Sequence, residues 1–99
     1  MRAAYYQQFT GGTYKRITIR GQRTRWGSCS GRGTLSFNWR LMMAPPKVLD
    51  YVVVHELCHL KHMDHSRNFW NAVADVMPDY NDHKKWLKEH GSELFILDT

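Results

Sequence analysis

Acidic residues are missing from the first 40 positions, which hold Lys15 and seven arginines. Positions 41–99 reverse the balance, with six basic and nine acidic residues. An asymmetry of this kind points to an anionic partner, and nucleic acid bound through the Arg-rich residues 1–40 is one reading. The plainer reading is that arginine keeps short strand edges soluble. Cysteine is scarce: Cys29 and Cys58 are too few for a disulfide framework, so both are expected to be reduced thiols. Long apolar runs are absent. The longest stretch without Asp, Glu, Lys or Arg is Ala3 to Tyr14, which is polar and contains glycine, so no membrane span and no membrane partner is expected. The first residues lack the apolar run of a secretory signal, and the expected compartment is the cytoplasm. Repeats and low-complexity tracts are also lacking. A chain of 99 residues with 42% apolar content builds one core, so residues 1–99 are expected to form a single domain.

The pattern of what remains is α+β. Residues 1–9 read as the end of a helix stopped by Gly11-Gly12. Residues 14–20 alternate, with Ile17 and Ile19 opposite Arg16, Thr18 and Arg20, as a half-buried strand does. Residues 23–29 and 34–38 read as two more strands, joined by the Gly-rich turn at Ser30–Gly33. Three consecutive strands predict a small antiparallel sheet. Pro45-Pro46 opens a helix running from about Pro46 to Met63. Apolar residues surround most of its circumference, which makes it the central buried helix. Ser66 caps a second helix over 67–77, stopped by Pro78. Asp79 or Asn81 caps a third helix through about His90, where Gly91 ends it.

The chemistry lies in His55-Glu56-Leu57-Cys58-His59. Two histidines at i and i+4 share a helix face and can bind one metal together. Glu56 is rotated about 100° around the axis from His55, too far to be an easy ligand, but placed to take a proton from a bound water. This is the HExxH pattern of zinc peptidases. A catalytic zinc needs a third protein ligand. His62 shares the face of His55 and His59, but about 10.5 Å of helical rise separates it from His55. His65 sits where the helix should stop, and a turn there folds it back. Asp75, Asp79 and Glu89 stay open as carboxylate alternatives, with His62. The spacing of His55, His59 and His65 matches that of metzincins, except that His62 stands where those have glycine for a left-handed turn. Carboxylates at Asp64, Asp75 or Asp79 are candidates to orient the ligand imidazoles. Cys58 faces away from the metal side and reads as a core thiol. The tryptophans read as core or helix-packing residues, and Lys84, Lys85 and Lys88 as a solvated helix face.

A longer set of residues carries a resemblance. Arg25-Trp26-Gly27-Ser28-Cys29-Ser30, Asn38-Trp39-Arg40-Leu41 and Ala44-Pro45 precede Asp50–Leu60 with its HELCH run, and His65-Ser66 with Phe69-Trp70 follow. In these, from about residue 14 to 90, the chain resembles the YgjP-like zinc metallopeptidases, relatives of the SprT-like and WLM peptidases. The resemblance implies a minimal zincin fold, one Zn2+ per chain on His55, His59 and His65, Glu56 as the catalytic residue, and a protein or peptide substrate. Members of that family carry a further N-terminal region, so the resemblance makes this chain a C-terminal catalytic part. The competing function is a nucleic-acid-binding module whose zinc only stabilises the fold. A structural zinc site, however, is closed by four ligands and has no use for Glu56. A peptidase recruited by DNA would combine the two.

Overall fold

The computed structural model describes residues 2–10, 13–21 and 26–96. Its elements are α1 (Arg2–Thr10), β1 (Arg16–Arg20), β2 (Gly27–Cys29), β3 (Thr34–Asn38), a 3-10 turn (Trp39–Met43), α2 (Pro46–His59), α3 (Arg67–Val76) and α4 (Tyr80–Ile96). The class is α+β, as the pattern predicts.

The sheet is not antiparallel throughout. Its order is β1-β3-β2, with β3 parallel to β1 and antiparallel to β2. The reason lies in β3. Leu35, Ser36, Phe37 and Asn38 are all buried, so both faces of this strand are covered. Such a strand belongs in the middle of a sheet, and the partly exposed β1 and β2 take its edges. Ile17 opposes Leu35 and Ile19 opposes Phe37, but Ile19 remains exposed. Between β2 and β3 the chain reverses through Ser30–Gly33. Ser30 Oγ accepts from the amides of Arg32 and Thr34, and Gly33 takes the left-handed φ of 88° that the turn requires. The early part of the second expected strand, residues 23–25, lies outside the described residues.

Helix α2 is the central element. Val48, Val52, Val53, Val54, Leu57 and Cys58 are buried against the sheet and the other helices. Cys58 is the core thiol its helical angle predicts, and burial, with the nearby Asp75, pushes it up to about 11. Helix α1 docks on α2 where Tyr6 donates to Asp50 Oδ2 at 3.1 Å. Arg40 is 1% exposed, so one cation of the basic first part is a core residue. Asn38 Oδ1 accepts from its backbone N–H and from its guanidinium. Trp39 is 38% exposed rather than core, with the Arg40 guanidinium over its ring.

Two helix ends differ from expectation. Helix α2 stops at His59 instead of Met63. Helix α4 runs through Gly91 to Ile96. Gly91 is buried, and a Cβ there would lie 2.8 Å from Trp26 Cζ2. It is a packing glycine that lets the indole lie on the helix, not a terminator. No helix among the described residues is long and apolar enough to cross a membrane.

Candidate metal centre

His55 and His59 occupy the last turn of α2, with ring centroids 4.8 Å apart. The helix ends at once after them. The Leu60 amide donates to the Leu57 carbonyl, and the Lys61 and His62 amides both donate to Cys58. This tightening needs no left-handed residue: among the described residues only Gly33 has positive φ. The glycine missing at position 62 is therefore not required here. Ser66 then caps α3 by accepting from the Phe69 amide. Between the two helices the chain carries His65 back, to 5.4 Å from His55 and 4.8 Å from His59, ring to ring. One potential ligand atom from each of the three histidines lies within 4.8 Å of the others.

Hydrogen bonds engage the Nδ1 atoms of His55 and His59. His59 Nδ1 lies 2.9 Å from the His62 carbonyl oxygen, which can only accept. The proton is therefore on Nδ1, and Nε2 keeps its lone pair. His55 Nδ1 similarly lies 3.1 Å from Glu56 Oε2. Burial lowers the pKa of His59, opposed by the bond to His62 and by Glu56. A His59 with its Nε2 lone pair free, beside the converging rings of His55 and His65, is the kind of donor set that suits a zinc ion, and the cluster fits such an ion.

The other candidates lie elsewhere. Asp79 Oδ2 is 3.1 Å from His83 Nε2, and Glu89 lies 3.8 Å from Lys85 on α4. Asp64 is held below the usual carboxylate range mainly by the Ser66 hydroxyl. His62 enters through its carbonyl, not its ring. The imidazole-orienting group at His59 is thus a main-chain oxygen rather than one of the expected carboxylates.

Phe69 forms the floor. It is 0% exposed and stacks on His59 at 4.3 Å and 22°, with His55 at 5.0 Å and His65 at 5.2 Å. Trp70 covers the outer side, 5.8 Å from His55 and 6.0 Å from His65. The N-cap at Ser66 positions both rings, because they lie in the first turn of α3. The apolar pattern alone marks them as core; only the cap's closeness to His65 hints at more.

Glu56 is 5% exposed, yet its carboxyl lines the pocket beside the three histidines. Gly27 makes room for it. A Cβ at that position would sit 3.1 Å from Glu56 Cγ, Glu56 Oε2 and Val52 Cγ1. A glycine inside a strand signals such a close approach. Cys29 lines the same pocket, and burial and Glu56 raise its thiol pKa, so it stays protonated. Tyr51, one turn before His55, is pushed up to about 12 by burial, Glu56 and Tyr80.

The architecture has solved counterparts. The metallopeptidase zymogen of Pyrococcus abyssi abylysin superposes with a TM-score of 0.78 over 89% of this chain and 90% of that one, at 21% identity. The fold is that of a zincin-like metallopeptidase. The chain belongs to the YgjP-like family, whose metallopeptidase domain matches residues 1–90. It is also 36% identical over 50 residues to a UTP pyrophosphatase of Escherichia coli K12, a match covering 46% of this chain and 30% of that protein. The chain therefore spans under a third of that relative's length in the match.

Proposed function

We propose that His55, His59 and His65 hold one zinc ion and that the chain hydrolyses peptide bonds with Glu56 as general base. The observation that carries this reading is the convergence of three histidines within 4.8 Å beside a buried carboxylate. When bound, zinc supplies a Lewis acid that polarises a carbonyl and brings the pKa of a coordinated water toward 7. Glu56 accepts the proton of the attacking water and delivers it to the leaving amine. Its Oε2 is engaged by His55, which leaves Oε1 for that exchange. Strand β2 supports the substrate side. Among the described residues it pairs with β3 on one edge only, so its other edge can align an extended peptide by main-chain hydrogen bonds.

The test is Glu56→Gln. The variant keeps its zinc and loses nearly all hydrolysis of a quenched fluorescent peptide. Hydrolysis at the wild-type rate, at equal zinc occupancy, would remove Glu56 from the mechanism.

The name of the Escherichia coli relative favours a second reading, hydrolysis of a phosphoanhydride at the same centre. Release of pyrophosphate from UTP by the zinc-loaded chain, without peptide cleavage, would select it. Nucleic-acid binding through residues 1–40 is not supported, and the burial of Arg40 subtracts from its basic surface.

A further inference from the structure

Three adjoining hollows follow β2 from end to end. The first, about 290 Å3, has apolar walls including Trp26, Tyr51 and Leu87, and Lys84 lines it. The second, about 240 Å3, is the histidine pocket and shares Gly27, His55 and Glu56 with the first. The third, about 280 Å3, meets the second at Met63 and is lined by Lys15, Arg32 and the Ser30–Gly33 turn. Together they make one trough that runs along β2 and on to the Ser30–Gly33 turn.

The charges along the trough are one-sided. Glu56 is the sole carboxylate among its described lining residues, and it sits at the centre. Lys84 stands at one end, its Nζ 4.4 Å over the Trp70 ring, and Lys15 and Arg32 stand at the other. The Trp70 contact holds the ammonium beside the site instead of leaving it to sweep through solvent. Lys84 is thus more than a member of a solvated lysine face.

We propose that this trough selects acidic peptides, with a carboxylate side chain on each side of the scissile bond. One meets Lys84 and the other meets Lys15 and Arg32. The proposal rests on the peptidase reading and names its substrate class. Each exposed pair contributes about two- to fivefold at low salt, and less as salt rises. A basic peptide meets like charge at both ends and is rejected.

The experiment uses three quenched peptides with one common centre and Glu, Gln or Lys at the outer positions on both sides. Cleavage is followed with the zinc-loaded chain, and binding by fluorescence anisotropy with zinc-loaded Glu56→Gln. The Glu-flanked peptide is expected to show a kcat/KM about tenfold above the Gln-flanked one, and a lower Kd. Lys84→Glu should reverse the preference on one flank, and Lys15→Glu with Arg32→Glu on the other. Equal kcat/KM for all three peptides overturns the acidic trough and leaves the peptidase reading intact. Preferential binding of the Glu-flanked peptide without any cleavage keeps the trough and removes the peptidase reading. Binding of UTP or pyrophosphate but of none of the peptides overturns both.

Discussion

His59 Nδ1 and the carbonyl oxygen of His62 lie 2.9 Å apart, so the residue that orients one imidazole of the cluster does so through its main chain. The same turn that ends α2 creates this bond. It gives His62 a structural part in the centre that does not depend on its ring.

His62 and His65 should therefore respond differently to removal of their side chains. His62→Ala keeps the carbonyl and should leave zinc affinity within about threefold of wild type. Loss of a group that orients a ligand typically costs 10- to 100-fold, so retained affinity would be informative. Competition against a chromophoric chelator reads it. A loss of 100-fold in His62→Ala would place that ring, not its carbonyl, at the metal.

Gly27 should be more sensitive than its place in a three-residue strand suggests. An added Cβ meets Glu56 Cγ and Oε2 at 3.1 Å, so the carboxyl or the strand must shift by a few tenths of an ångström. Misplacing a reacting group by 1 Å costs about 100-fold in rate, so Gly27→Ala is expected to lower kcat about tenfold. Zinc content should not change. Steady-state kinetics with parallel metal analysis gives the answer, and unchanged kcat would mean that Glu56 has slack.

The metal-free chain should weaken as pH falls through the histidine range. Burial lowers the pKa of His59 in the folded state, while the unfolded chain keeps about 6.5. The unfolded state then binds more protons below pH 6.5. The contribution of His59 to stability is complete above that pH and declines as pH falls toward the folded-state pKa. Urea midpoints from pH 8 to pH 5 should fall more steeply for wild type than for His59→Gln. Identical slopes would mean that His59 does not carry the effect.

Local signals were legible in the sequence where one segment decides the outcome. Pro46 opens α2 and Ser66 caps α3, as their residue types require. The i, i+4 pair His55 and His59 shares its helix face for the same reason. What needed the folded chain was every relation between segments. β3 inserts between β1 and β2 because its two faces are both buried, and order along the chain does not reveal that. Gly91 resembles a terminator until Trp26, far away in sequence, is seen to lie on it. The carbonyl of His62 left no mark at all, since main-chain acceptors are the same at every residue. The stack of Phe69 on His59 was hidden differently: a ring that supports a metal ligand and a ring that fills a core look alike in sequence.

The most direct measurement is the zinc stoichiometry and affinity of the purified chain beside His65→Ala. The account predicts one zinc per wild-type chain, and affinity at least about 100-fold weaker in a variant that still folds, because one of three protein ligands is gone. Equal zinc, equally tightly held, in His65→Ala would contradict the centre assigned to His55, His59 and His65.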